Sequence, residues 1–101
     1  VKVIVTKNAR LPLDSKIFDN PENLLLFTSS AATGLPGKHI ITSDAGIPAG
    51  EILNGLYENG IQSVIVEGGA TVLSAFISTG LWDEARIFTG RNSFGAGVKA
   101  P

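Results

Sequence analysis

An apolar run, a single carboxylate, a glycine pair and a helix start follow one another in Ser63-Val64-Ile65-Val66-Glu67-Gly68-Gly69-Ala70-Thr71. The apolar run shows no alternation of apolar and polar residues, which is typical of a strand buried on both faces. Glycine directly after such a strand permits a tight turn and lets a ligand approach the backbone closely. We therefore predict a strand over Ser63 to Val66, a turn at Gly68-Gly69, and a helix from about Ala70 to Ser78 that Gly80 ends.

Outward from this stretch, further apolar runs alternate with a second helical pattern. A helix is predicted from about Ala49 to Glu58, because Ile52, Leu53 and Leu56 fall on one face and Asn59-Gly60 is a good helix end. Strand followed by helix followed by strand indicates right-handed crossovers and a parallel sheet. The expected fold class is α/β, a mostly parallel sheet with helices on both faces. The other predicted strands are Val3 to Thr6, Leu24 to Thr28, His39 to Thr42 and Ala85 to Thr89.

Composition restricts the possible functions. The chain has 101 residues, 44% of them hydrophobic and 17% charged, which fits one globular domain over residues 1–101 and excludes intrinsic disorder. A net charge of −1 argues against a nucleic-acid partner. The absence of cysteine excludes disulfides, a thiolate nucleophile and cysteine-bound zinc, and the single histidine, His39, cannot form a multi-histidine metal site. We therefore expect no metal. No apolar run approaches the ~20 residues of a membrane span, so we expect a soluble, cytoplasmic protein.

The glycine turn is the main candidate binding site. The first amides of a helix lack intrahelical partners and carry roughly half a positive charge, which favours an anion there. Ligands of open α/β sheets bind at the carboxyl ends of the strands, so we expect a nucleotide pyrophosphate over Gly68, Gly69 and Ala70. The alternative is a tight turn that binds nothing. Glu67 beside it has two interpretations, a hydrogen-bond partner for a heterocycle or ribose hydroxyl, and a carboxylate that caps the helix.

Several other residues have weaker signals. Three cations in loops after strands are candidates for a ribose 2′-phosphate, although a solvated surface charge is the favoured interpretation of each: Lys7, Arg10 and Arg91. His39 is expected at a solvated strand edge, and the aromatic residues Trp82, Phe88 and Phe94 are expected in the core or a subunit interface. Ser43-Asp44-Ala45-Gly46 has the groups to bind a polar ligand, but its turn chemistry explains it fully, so a turn is expected. One histidine without a G-x-S-x-G sequence excludes a Ser-His-Asp triad.

Five segments of the chain match the pattern of a known family: Val3 to Thr6, Arg10 to Leu13, Val66 to Thr71, Gly80 to Ala85 and Phe94 to Gly97. In these segments the sequence resembles the C-terminal reductase domain family of the riboflavin-biosynthesis protein RibD. The resemblance spans nearly the whole chain and implies a dihydrofolate-reductase-like fold. It also implies that this chain is a fragment, the middle and later part of the domain, incomplete at both ends, with the zinc deaminase domain elsewhere in the same parent chain.

The resemblance also implies an activity and site residues. The activity is reduction of 5-amino-6-(5-phosphoribosylamino)uracil, a phosphoribosyl-aminopyrimidine, by NADPH, although the isolated fragment is not expected to turn over. Glu67 falls on a substrate-binding position, and no catalytic residue is assigned. Relatives that pair through this domain imply a homo-oligomer. The cofactor-binding positions implied are Lys7, Gly68, Gly69, Ala70, Thr71, Val72, Leu73, Ser74 and Ala75.

Two other functions stay open on the sequence. The glycine turn and the lack of an acid–base pair also fit a nucleotide-binding or assembly module without chemistry of its own. A reductase of the same superfamily that acts on another pyrimidine or on a pteridine fits equally well. Selective binding of NADPH over NADH and ATP would favour a reductase over the module.

Overall fold

A three-stranded parallel sheet forms the centre of the molecule. The computed structural model describes residues 1–30, 34–44 and 46–101. The strands are β1 (Lys2–Thr6), β2 (Leu24–Thr28) and β3 (Lys38–Ile41), in the order β1-β2-β3. All five residues of β2 are buried, as expected of a central strand with both faces covered. The three strands predicted at these places are confirmed to within one residue at each end.

Both α-helices pack on one face of the sheet. They are α1 (Ala49–Glu58) and α2 (Ala70–Thr79), within one residue of their predicted bounds. Leu25 and Phe27 point from β2 into this face, because alternate residues of a strand share a face. The cluster is completed by Ala49, Ile52 and Leu56 from α1 and Phe76 from α2.

The opposite face of the sheet is covered without an α-helix. Leu24 and Leu26 point into it and meet the chain that follows β1, which includes a short 3-10 helix at Lys16–Phe18. The α/β class and the parallel sheet are confirmed, but the helix expected on this second face is replaced by an irregular segment. This segment covers the second face of the sheet because it contributes its own apolar residues to the cluster there: Ala9, Leu11, Ile17 and Phe18, joined by Leu35.

Gly60 ends α1 in the way that the sequence predicts. Its φ is +76°, a left-handed conformation that glycine adopts without steric cost. The Gly60 amide donates to the Tyr57 carbonyl at 2.9 Å and the Ile61 amide to the Leu56 carbonyl at 3.0 Å, which is the Schellman pattern. The helix end therefore turns the chain back toward the sheet.

The strand predictions at Ser63 to Val66 and Ala85 to Thr89 are wrong. Residues 61–69 and 81–101 contain no strand, and the side chain of Ile65 is 84% exposed. Val1 and Val3 line one side of an open groove whose other side is formed by Ile61 and residues 63–65, so the chain does not reach the free edge of β1. Without a paired edge, an apolar β-branched run cannot form a strand. The expectation that Trp82, Phe88 and Phe94 lie in the core is wrong as well, because all three are exposed.

Candidate functional site

The glycine turn leads directly into α2. Gly69 is the N-cap residue, and its carbonyl accepts hydrogen bonds from the amides of Val72 at 3.0 Å and Leu73 at 3.2 Å. No side chain caps this helix end, and its first turn contains no acidic residue. Glu67 is exposed and does not cap the helix, so the capping interpretation of this carboxylate is wrong. Within the described part of the chain, no carboxylate forms a capping hydrogen bond at this positive end of the helix dipole.

The two glycines of the turn differ in their surroundings. A Cβ atom at Gly68 would lie 2.8 Å from Cβ of Val72, so the packing of the chain itself requires glycine there. A Cβ atom at Gly69 would meet nothing within 4 Å, and the φ of −64° is open to any residue. The structure thus leaves free space above Gly69, at the point where a ligand would approach the helix amides.

The predicted cofactor-binding residues that come after the glycine pair differ in their exposure on α2. Thr71 and Ser74 are exposed, whereas Ala70, Leu73 and Ala75 are half-buried. Val72 packs against the apolar cluster under the helices. A ligand at this end of α2 therefore has access to the backbone amides and the two hydroxyl-bearing side chains, while Val72 serves the packing.

A cluster of polar side chains, separate from the glycine turn in the sequence, lies where the three strands end. Lys7, Ser29 and Asp44 follow β1, β2 and β3, and the carboxyl ends of parallel strands share one edge of a sheet. The ammonium Nζ of Lys7 lies 3.2 Å from Oδ1 of Asp44. The Ser29 hydroxyl lies 2.8 Å from the Lys7 carbonyl, to which it donates, and 3.3 Å from the same Asp44 oxygen.

Glu51 at the start of α1 holds the loop that follows β3. It accepts hydrogen bonds from the backbone amide of Ser43 at 2.8 Å and from the Ser43 hydroxyl. These two bonds, the hydroxyl's being the larger influence, lower the pKa of Glu51 below its ordinary value. Ser43 and Asp44 belong to the predicted turn, of which Ala45 lies outside the described residues.

Other candidates from the sequence are not brought into these clusters. Arg10 and Arg91 are exposed. His39 is half-buried on β3, at the edge of the sheet, and its Nε2 lies 2.7 Å from the Leu35 carbonyl. Its contact is structural, with a backbone group of the preceding loop.

Sequence reasoning missed Ser29, Asp44 and Glu51 as members of a polar cluster. The signal that could have found the first two is their position, just after the apolar runs of β2 and β3. The same rule identified Lys7 after β1. Glu51 carries no such signal, because its partner Ser43 is set by the path of the loop and not by spacing along a helix.

The model of the RibD C-terminal domain family matches residues 1–100. The chain belongs to this family. It therefore shares its family with RibD reductase domains, as the resemblance of the sequence predicted.

Two curated proteins are similar to this chain over most of its length. The 2,5-diamino-6-ribosylamino-4(3H)-pyrimidinone 5′-phosphate reductase of Archaeoglobus fulgidus is 27% identical over 97 residues, 89% of this chain and 44% of that protein. The protein of the same name from Aquifex aeolicus is 28% identical over 96 residues, 86% of this chain and 43% of that protein. The chain thus spans less than half the length of these relatives.

A third relative matches a shorter stretch. The riboflavin biosynthesis protein RibD of Bacillus amyloliquefaciens is 50% identical over 38 residues, 38% of this chain and 10% of that protein. No solved structure gives a significant match to the chain.

Within residues 1–30, 34–44 and 46–101, no group of three or more His, Cys, Asp or Glu side chains is placed to hold a metal ion. In that same part of the chain, no helix has the length and apolar character needed to cross a bilayer.

Proposed function

We propose that this chain is part of a reductase of riboflavin biosynthesis that uses NADPH to convert the ribosyl group of a phosphoribosyl-aminopyrimidine into a ribityl group. The family match over residues 1–100 and the names of the relatives support a reductase. The observation on which the proposal depends most is the free space over Gly69 at an uncapped helix end. In the full-length enzyme, a deaminase domain and a second copy of the chain are its proposed partners.

The pyrophosphate of NADPH would lie over the start of α2. Gly69 presents no side chain there, and the amides of Ala70 and Thr71 belong to the first turn, whose N–H groups lack intrahelical acceptors. Thr71 and Ser74 are exposed and can donate hydroxyl hydrogen bonds to phosphate oxygens. Lys7 would supply a positive charge for the ribose 2′-phosphate. The helix amides, the two hydroxyl groups and the Lys7 ammonium are the kinds of groups that bind a phosphorylated dinucleotide, which supports the proposal.

Glu67 is proposed to bind the substrate. It is exposed and lies directly before the glycine pair, so the proposed cofactor position and the Glu67 carboxylate are neighbours along the backbone. A carboxylate accepts hydrogen bonds from the ring N–H and amino groups of an aminopyrimidine. Such bonds would orient the ribosyl group toward the nicotinamide, which supplies a hydride when bound.

Two substrates are proposed, in order. The first is 5-amino-6-(5-phosphoribosylamino)uracil. The second is 2,5-diamino-6-ribosylamino-4(3H)-pyrimidinone 5′-phosphate, which the names of the relatives that cover most of the chain favour. In either case the anomeric carbon gains the hydride, its bond to the ring oxygen breaks, and that oxygen takes a proton. We assign no catalytic side chain to this step.

The cofactor site is tested with Gly69→Val in the full-length enzyme. Because a side chain there would fill the phosphate position, we expect the Kd of NADPH to rise at least about tenfold, with a small loss of Tm because valine is a poorer N-cap than glycine. Gly90→Val is the matched control, since Gly90 is also exposed with open space around it and lies outside the proposed site. Equal NADPH affinity in the two variants would refute the assignment.

The substrate role is tested with Glu67→Gln. We expect the KM of the aminopyrimidine to rise while the Kd of NADPH changes less than about twofold, because the amide keeps the size of the side chain and loses its charge. Rates of NADPH oxidation with each of the two substrates would identify the preferred one. Binding of NADPH without oxidation in the presence of either substrate would favour the module without chemistry.

A further inference from the structure

The Lys7 ammonium has a carboxylate partner at the carboxyl edge of the sheet. Asp44 lies 3.2 Å from it, and the side chains are 72% and 69% exposed. Ser29 connects the loops after β1 and β2 through its bond to the Lys7 carbonyl, and its hydroxyl also lies beside Asp44. A lysine, a hydroxyl and a carboxylate from three different loops thus meet at one point.

If Lys7 binds an anionic group of a ligand, that group would occupy the position beside the ammonium that the Asp44 carboxylate holds in this structure. The Lys7 ammonium is a group that binds a phosphate monoester as a point charge, and the Ser29 hydroxyl, which donates to the Lys7 carbonyl, connects the two loops. Surface ion pairs with this degree of exposure are weak, so a dianionic phosphate can displace the carboxylate. The displaced carboxylate stays tethered to the same loop and continues to repel the phosphate.

We infer that Asp44 is a specificity-determining residue. Its carboxylate competes with the 2′-phosphate of NADPH for the Lys7 ammonium, so it weakens the binding of NADPH and reduces the preference for NADPH over NADH. The inference rests on the proposed function, which gives Lys7 its phosphate ligand. NADH carries a 2′-hydroxyl at this point, which donates a hydrogen bond to a carboxylate instead of being repelled by it. Asp44 therefore acts in opposite directions on the two dinucleotides.

The experiment measures the Kd of NADPH and NADH for the full-length reductase and its variant Asp44→Asn. Asparagine keeps the size of the side chain and removes the charge. We expect NADPH to bind about fivefold more tightly and NADH no more tightly than before. The fragments 2′,5′-ADP and 5′-AMP should follow the same pattern, since they differ only in the 2′-phosphate.

Glu22→Gln is the matched control. Glu22 is an exposed carboxylate just before β2, at the edge of the sheet opposite to Lys7, so its removal changes the net charge equally without affecting the loop that carries Asp44. Removal of its charge should leave the ratio of the NADPH and NADH dissociation constants within about twofold of the wild-type ratio. A similar gain in both variants would mean that net charge alone acts, and would overturn the role of Asp44.

The remaining outcomes separate the inference from the proposed function. If the wild type binds NADPH and Asp44→Asn leaves the NADPH-to-NADH ratio unchanged, the inference fails and the proposed function stands. If Asp44→Asn weakens both dinucleotides equally, Asp44 only maintains the loop, and the inference again fails. If the wild type binds neither dinucleotide, the proposed function and the inference fail together.

Discussion

Gly68 and Gly69 are adjacent residues with different physical roles. Gly68 lies against Val72, where a Cβ atom would come within 2.8 Å of the Val72 Cβ. Because both atoms are close to the backbone, neither can move away cheaply, and we expect Gly68→Ala to lower the free energy of unfolding by about 1–3 kcal/mol. Gly69→Ala meets nothing within 4 Å and should cost less, about 0.5–1 kcal/mol, because alanine is a poorer N-cap than glycine. Urea denaturation of both variants checks this, and equal losses would contradict it.

Glu51 gives the stability of the chain a pH dependence of known sign. Its pKa is lowered in the folded state by the Ser43 hydroxyl and then by the Ser43 amide. The unfolded chain therefore binds the proton first as the pH falls, and the stabilisation present above the unfolded pKa is lost as the pH falls through the lower folded pKa. Glu51→Gln and Ser43→Ala should each flatten the dependence of the urea midpoint on pH below about 5. An unchanged slope in both variants would show that these bonds do not form.

Single residues were predictable from the sequence where local chemistry determines their role. Gly60 as a helix end and Lys7 as a cation after a strand are examples. The partners of Lys7 were not predictable, because Ser29 and Asp44 come from other loops and meet it only through the parallel register of the sheet. The sequence also could not predict which glycine of the pair faces open space, because that depends on the path of α2 over the core.

At the scale of elements, close contact between α1 and β2 depends on Gly55. A Cβ atom there would lie 2.6 Å from Cε1 of Phe27, whose side chain is fully buried and cannot move aside. We expect Gly55→Ala to destabilise the fold by about 1–2 kcal/mol despite the better helix propensity of alanine. Gly50→Ala, in the same helix with nothing nearby, should instead be neutral or stabilising by up to about 1 kcal/mol. Thermal unfolding of the pair checks this, and stabilisation by both would contradict the close contact.

The elements themselves were predicted unevenly. Both helices and the three strands of the sheet were predictable because each has its own local signals and a partner within the chain. The run Val64-Ile65-Val66 has the same local signals, but the groove separates it from β1 and leaves it without a hydrogen-bonding edge. Strand formation needs that partner, so the pattern alone predicted an element that the structure lacks.

At the scale of the whole molecule, the apolar residues fall into two groups. In the part of the chain that the structure describes, every residue of the clusters on the two faces of the sheet comes from residues 1–80, whereas residues 81–101 are exposed throughout, including Phe88 at 91% and Phe94 at 97%. Exposed aromatic residues in a segment without regular structure are accessible to a protease, and buried ones become accessible only when the fold opens. The two groups should therefore differ in their rates of cleavage.

We expect chymotrypsin to cut the 101-residue chain after Phe88 and Phe94 well before it cuts after Phe18 and Phe27, which are 8% and 0% exposed. Mass spectrometry of a short digest identifies the order, and a digest in urea above the unfolding midpoint is the control in which the order disappears. Early cleavage after Phe27 would show that the sheet is not stably formed in this chain. Protection of Phe88 and Phe94 would show instead that the final segment is covered, and dilution would then distinguish a second copy, whose cover is lost at low concentration, from folding within one chain.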